Sequence, residues 1–299
     1  MTTRYDVLVL GGAGVDTIVY VPELPLPYAD SYPVPAIEAR AGQTGDGVAL
    51  GVHALGLRTH HVDVLGEDTE GALVLDLHAR YGVPFTAVRT AAGTKRAVNL
   101  VSPDGRRLSL YDGSRGAAED RLPSDLVATL AAASRHVHVS ITHPCAQALP
   151  LLGDASVSTD LHNWDGQNPY HEPFARRADI VFLSAVALSD VEGTMRGILE
   201  RGRAHTVVAT AGALGAQVML RDDPVPRHVP AAPAPGPVVD SNGAGDAFVS
   251  GYLFGFLAGE SAPTSARYGA VAGAHACTVP ATAVDPIDLR TLSARCRPG

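Results

Sequence analysis

Twelve consecutive residues, Asp240-Ser241-Asn242-Gly243-Ala244-Gly245-Asp246-Ala247-Phe248-Val249-Ser250-Gly251, set small residues and an aspartate where a helical pattern begins. Glycines at a helix N-terminus let backbone N–H groups converge on an anion, and the helix dipole adds to the attraction. A phosphoryl group suits such a place. An aspartate in the first turn can reach an acceptor hydroxyl and take its proton as the bond to phosphorus forms. By residue type alone, the same segment equally suits tight helix packing, with Asp246 as a first-turn charge that complements the dipole.

The elements that must position this segment follow an alternating rhythm. Tyr5–Leu10 is an apolar run ending in Gly11-Gly12-Ala13-Gly14. Later strand candidates are 59–65, 137–140, 157–161, 180–183 and 206–210, each apolar on nearly every position, which predicts a central sheet covered on both faces. Helical periodicity marks 45–57, 69–81, 125–133, 190–201, 244–257 and 263–276. The sum predicts a doubly wound, mostly parallel α/β fold flanked by helices. Residues 17–40, with five prolines, and 96–112, with the hairpin-like Ser102-Pro103-Asp104-Gly105, break the rhythm and read as a small β-sheet lid. The expectation is one domain over 1–299, its core from 1–16, 41–95 and 113–299 and its lid from 17–40 and 96–112. The proline-rich stretch 221–237 is expected to be an exposed connection.

The segment at 240–251 resembles the second signature of the ribokinase-like (PfkB) kinases, D-T-x-G-A-G-D-x-F-x-x-G, matching at Asp240, Gly243, Ala244, Gly245, Asp246, Phe248 and Gly251. The resemblance implies an ATP-dependent transfer of the γ-phosphate to a sugar or nucleoside hydroxyl. It implies Asp246 as catalytic base and Gly243, Ala244 and Gly245 as the anion hole. It also extends along the chain. Gly11 through Asp16, followed by Val21-Pro22-Glu23-Leu24-Pro25, resembles the family's first strand, its sugar-binding aspartate and its entry to the lid. A carboxylate can accept two hydroxyl hydrogens, which suits a polyol; from residues alone, a turn-capping Asp16 is the favoured reading, and the resemblance is what makes it a candidate ligand.

Ala41-Gly42-Gln43-Thr44-Gly45-Asp46-Gly47 resembles the element G-G-K-G-A-N-Q, with Gln43 for lysine and Asp46 for asparagine. Asp16, Gly42, Gln43 and Asp46 are therefore the expected substrate ligands, and the exchange at Asp46 alters which hydroxyls can be bound. Thr210, Gly212 and Gly215 resemble a T-x-G-x-x-G turn beside the nucleotide, and Asp240, Ser241 and Asn242 complete the expected nucleotide contacts. ATP and Mg2+ are the implied cofactors, with monovalent activation, as by K+, left open. The family's N-x-x-E is replaced by Ser184-Ala185-Val186-Ala187, so no metal ligand is assigned, altered magnesium dependence is expected, and Asp190 and Glu192 are the nearest carboxylates. Asp160-Leu161-His162-Asn163 resembles the run D-x-N-x, with His162 where asparagine is common. Arg96 and Arg115 lie near the lid and either touch ligand or remain solvated. Exposed lid edges lead to the expectation of a homodimer.

Other classes fit less well. Twenty-three Lys plus Arg against 31 Asp plus Glu, a net charge of -8, exclude a phosphate-tracking surface for nucleic acid. No signal-peptide layout and no long uncharged apolar run occur, so no membrane partner and a cytoplasmic location are expected. A dinucleotide fold would need glycine at position 17, where Thr17 stands, and no P-loop is present. Cys145, Cys277 and Cys296 follow no metal or redox spacing, and His60-His61 and His136-x-His138 show no third ligand nearby in sequence. The alternative of another class is a ligand sensor that kept the fold and lost the chemistry, which the absent N-x-x-E suggests and the intact Gly-Ala-Gly-Asp opposes.

Overall fold

The computed structural model describes residues 3–117 and 119–296; the remaining residues of the expected 1–299 domain lie outside the described residues. In chain order the strands are β1 (Tyr5–Leu10), β2 (Val15–Tyr20), β3 (Glu38–Ala41), β4 (Thr59–Gly66), β5 (Phe85–Thr90), β6 (Arg96–Val101), β7 (Arg107–Tyr111), β8 (Ser134–Ser140), β9 (Val157–Asp160), β10 (Ile180–Ser184), β11 (Thr206–Thr210), β12 (Ala216–Leu220) and β13 (Arg227–Val229). The helices are α1 (Thr44–Ala54), α2 (Thr69–Tyr81), α3 (Ser124–Ala132), α4 (His143–Ala148), α5 (Glu172–Arg177), α6 (Val191–Arg201), α7 (Ala244–Leu257), α8 (Ala262–Ala276) and α9 (Leu289–Cys296).

Among the described residues, nine strands form the main sheet in the order β13-β12-β11-β10-β9-β8-β1-β4-β5. All neighbours run parallel except at β12 and β13, which pair antiparallel with β11 and with each other. Alternate residues feed two cores. Leu8, Leu10, Val137, Val139 and Val181 pack on the face covered by Val127 of α3, Cys145 of α4, Phe174 of α5 and Met195 of α6. Val7, Val9, Ile180, Phe182 and Val208 pack on the opposite face, under Val48 of α1, Leu77 of α2 and Phe248 and Tyr252 of α7. This is why the strands read as continuous apolar runs: both of their faces are covered.

A second, four-stranded sheet, β3-β2-β6-β7, stands apart, with β2 and β6 parallel and both outer pairs antiparallel. It begins at Val15, so Asp16 belongs to this sheet rather than to the core. Three further differences have local causes. The helix expected over 45–57 starts at Thr44, where Gln43 caps it, and ends at Ala54 as Gly56 turns left-handed at φ 86°. The segment 85–90 is an edge strand of half-buried residues whose mixed pattern hides its period. Within 221–237, residues Arg227–Val229 add an antiparallel strand instead of remaining a free connection. No described helix is long and apolar enough to cross a membrane.

Candidate active site

The sheet order reverses between β1 and β8, and in such sheets ligands occupy the crevice at the carboxyl ends of the strands. A cleft of about 1030 Å³ lies there. Gly12 just beyond β1, and the last residues of β8, β9, β10 and β11, namely Ser140, Asp160, Ser184 and Thr210, all line it. The opposite wall is the small sheet, through Asp16, Arg40, Asn99, Arg107, Ser109 and Tyr111.

Helix α7 carries the Gly-Ala-Gly-Asp segment into this cleft. Gly243 caps it at φ 74°, a left-handed conformation that favours glycine, and a Cβ there would meet no atom within 4 Å, so conformation rather than space sets the requirement. A Cβ on Gly245 would lie 4.0 Å from Asp160 Oδ2, its nearest neighbour, so this backbone is open to the cleft. Ala244 donates to Ser241 O at 3.3 Å and Ala247 to Gly243 O at 2.9 Å, whereas among the described residues the amides of Gly245 and Asp246 donate to no backbone carbonyl. Those are the free donors a helix start offers an anion.

The side chain of Asp246 is set by helix packing. A Cβ at Gly47 of α1 would lie 2.9 Å from Asp246 Cβ, and one at Gly51 would lie 2.3 Å from Ser250 Oγ, so two glycines four residues apart receive two α7 side chains four residues apart. Ser250 Oγ donates to Asp246 O at 2.8 Å. Asp246 lines the cleft floor, where burial and the neighbouring carboxylates of Asp160 and Asp16 outweigh Arg107 and Arg40 and push its pKa up to about 8. Asp16 is raised as well, chiefly by burial, against a hydrogen bond from Gln43 Nε2 at 3.1 Å and the charges of Arg40 and Arg107.

Asp16, Gly42, Gln43, Thr210, Gly212, Ser241, Asn242, Gly243, Gly245 and Asp246 all line the cleft, and Ala244 contributes its place in the first turn. Three expected ligands do not. Asp46 is fully buried and accepts from the amides of Gly14 and Gln43, each at 3.1 Å, so it is the clamp at the start of α1. Asp240 is fully buried and accepts from Ala281 N at 2.6 Å, Asn242 N at 2.7 Å and Tyr20 Oη at 3.3 Å, fastening the loop before α7 to the small sheet and to the segment after α8. Gly215 lies against β13, where a Cβ would come within 2.2 Å of Val229 O.

Arg96 pairs with Glu70 at 2.9 Å and Arg115 with Asp68 at 3.0 Å, at the root of the small sheet and away from the cleft lining. Asp190 caps α6 and the exposed Glu192 pairs with Arg196, so neither stands in for the missing N-x-x-E; Asp160 is the carboxylate beside the open turn. His136 and His138 hydrogen-bond to Ser156 and Ser158, but His61 does meet two further ligand-type groups, His78 and Asp46, brought from α2 and α1 by the fold. Arg107, Ser109 and Tyr111 were missed from sequence; their alternation along β7 is the period-two signal that could have found them.

Comparison with known proteins extends the match over the chain. The pfkB family carbohydrate kinase description covers residues 5–288. The acarbose 7(IV)-phosphotransferase of Actinoplanes sp. is 63% identical over 294 residues, 98% of each chain, and the fructoselysine 6-kinase of Escherichia coli is 27% identical over 79% of this chain and 89% of its own. Among solved structures, a microbiome-derived acarbose kinase superposes with a TM-score of 0.91 at 47% identity, covering 98% of this chain and 99% of its own. Arabidopsis thaliana ribokinase complexed with ribose and ATP shares the fold over 100% of both chains, with a TM-score of 0.81 at 19% identity. These matches favour a working ATP-dependent sugar kinase over a sensor that lost its chemistry, and the chain belongs to the pfkB family of carbohydrate kinases.

Proposed function

We propose that this kinase phosphorylates a hydroxyl of an acarbose-like sugar, with Asp246 as general base and the first-turn amides of Gly243–Gly245 as the anion hole. The observation that carries the assignment is the placement of Asp246 beside unpaired helix-start amides on the floor of a cleft whose facing wall holds Asp16. The acceptor lies between Asp16, Gln43, Gly42 and the small sheet, which acts as a lid; ATP lies along Thr210 and Gly212 toward Gly243. Asp246 accepts the hydroxyl proton as the oxygen bonds to the γ-phosphorus and the bond to the ADP oxygen breaks. Arg107, held to Asn242 Oδ1 at 2.6 Å, sits where it can offset the transferring charge.

Asp160 is the protein carboxylate suited to hold Mg2+ carried by the nucleotide, because its Oδ2 borders the open backbone at Gly245. When bound, the ion neutralises charge building on the phosphates. Leu108 and Leu110, 43% and 55% exposed, alternate with the cleft-facing residues of β7 and form an apolar outer surface of the lid, which we assign to a homodimer contact. A cytoplasmic kinase fits the chemistry, since its donor is ATP.

Acarbose and shorter and unrelated sugars are to be offered with ATP and Mg2+, in potassium and in sodium buffers, while ADP release is followed. Turnover with acarbose that falls about 10²–10⁴-fold in Asp246→Asn is expected. Turnover confined to a simple monosaccharide would overturn the acceptor assignment, and an Asp246→Asn enzyme of full activity would overturn the mechanism.

A further inference from the structure

Behind the turn at 11–14, outside the cleft lining, three side chains with almost no solvent exposure meet: Asp46 of α1, His61 of β4 and His78 of α2. His78 Nε2 lies 2.8 Å from Asp46 Oδ1 and 3.3 Å from His61 Nδ1, and His61 Nε2 lies 3.0 Å from the carbonyl of Gly11. The proton positions follow from what can accept. A carboxylate oxygen only accepts, so His78 Nε2 carries a hydrogen; the Gly11 carbonyl only accepts, so His61 Nε2 carries one too. Burial pushes the pKa of His61 down to about 3, which leaves its Nδ1 a lone pair facing the same His78 N–H. Phe85 packs at 4.8 Å and 4.6 Å from the two rings and keeps water out.

A metal ion is the competing explanation for three such ligands, and the hydrogen bonding disfavours it. His78 Nδ1 is buried without a partner. A metal on Nε2 would force the hydrogen onto Nδ1 and leave a buried donor with no acceptor, whereas the hydrogen-bonded arrangement leaves only a lone pair there.

We propose that His78 is a positioning residue for the acceptor site: it supplies the side-chain donor that holds the buried Asp46 carboxylate, and Asp46 in turn fixes the two cleft walls that meet the sugar. The other oxygen of Asp46 accepts from Gly14 N and Gln43 N, each at 3.1 Å, and Gln43 Nε2 donates to Asp16 Oδ1 at 3.1 Å. His61 holds the start of the same turn through Gly11. His78 thus acts on the acceptor through Asp46 and Gln43. The inference rests on the reading that Asp16 and Gln43 hold the acceptor.

The test compares His78→Gln, His78→Asn and His78→Leu with Asp16→Ala in the full chain, measuring KM for acceptor and for ATP, kcat and melting temperature. The glutamine amide nitrogen falls near the position of Nε2, and the asparagine amide nitrogen does not. Expected is a rise of about tenfold in acceptor KM for His78→Asn and His78→Leu, ATP KM within about twofold, and recovery in His78→Gln. Equal acceptor KM in the Gln and Asn variants, with Asp16→Ala impaired, sinks the positioning role while sparing the acceptor site. Unchanged acceptor KM in Asp16→Ala removes the acceptor reading itself. One equivalent of zinc or another divalent ion lost from the purified protein on His78→Asn would overturn the hydrogen-bonded arrangement.

Discussion

At the scale of single residues, Asp246 is held in tension between chemistry and stability. As the proposed base its carboxyl must be ionised to accept a proton, yet burial and the nearby Asp160 and Asp16 raise its pKa to about 8. The acid limb of kcat/KM should therefore rise through an apparent pKa near 8, and Arg107→Gln, which removes a cation that favours the ionised form, should move that limb to higher pH; a limb unmoved in this variant counts against Asp246 as its source. The linkage runs in a defined direction. With the folded pKa above the ordinary aspartate value of 3.8, folding takes up a proton between those values, so stability falls as pH rises through that window. Asp246→Asn should accordingly raise the melting temperature more at pH 9 than at pH 5. Residue chemistry was legible here because Gly-Ala-Gly-Asp is local: the helix start, the glycine turn and the aspartate lie within four positions of one another. Asp46 and Asp240 were misread because their neighbours in sequence do not reveal that both carboxylates are saturated by donors from 32 and 41 residues away.

At the scale of elements, α7 is the piece that aims the proposed catalytic segment, and glycines let its neighbours approach. A Cβ at Gly251 would lie 2.5 Å from Tyr268 O of α8, and one at Gly269 of α8 would lie 2.7 Å from Phe248 O, both backbone atoms that cannot rotate away. Gly251→Ala should destabilise the fold by about 1–3 kcal/mol through overpacking, read as a lowered midpoint in urea with an unchanged slope. A neutral result would mean that the two helices slide apart without cost. Gly251 was matched from sequence as part of a motif; that its role is the helix contact could be seen only with α8 in place. The parallel strands and most helices were legible from apolar runs and helical periodicity. Edge elements such as β5 and β13 were not, because pairing on one side leaves no strong pattern.

At the scale of the whole molecule, the small sheet reaches across the cleft to the segment before α7. Ser241 Oγ donates to Gly105 O at 3.0 Å at the turn of the β6–β7 hairpin, and Tyr20 Oη reaches Asp240 at 3.3 Å. The small sheet and the segment before α7 are thereby tied together, which under the proposed function couples lid position to the anion hole and suits exclusion of water once the acceptor is in place. The outer surface at Leu108 and Leu110 should be covered in solution. Light scattering at micromolar concentration is expected to give twice the 31.0 kDa chain mass, and Leu110→Asp to give the single mass; a wild-type monomer removes the dimer.

Sequence alone determined the family, the covered parallel sheet and the segment proposed to carry the chemistry, because each is written in contiguous residues: apolar runs, glycine turns and a motif at a helix start. Only the tertiary structure decided which carboxylates face the ligand and which are consumed inside. Asp16 and Asp160 open onto the cleft, while Asp46 and Asp240 are enclosed by amides, a histidine and a tyrosine. The physical reason is that a carboxylate's role depends on whether its oxygens are already hydrogen-bonded, and the donors that decide this arrive from distant strands and helices.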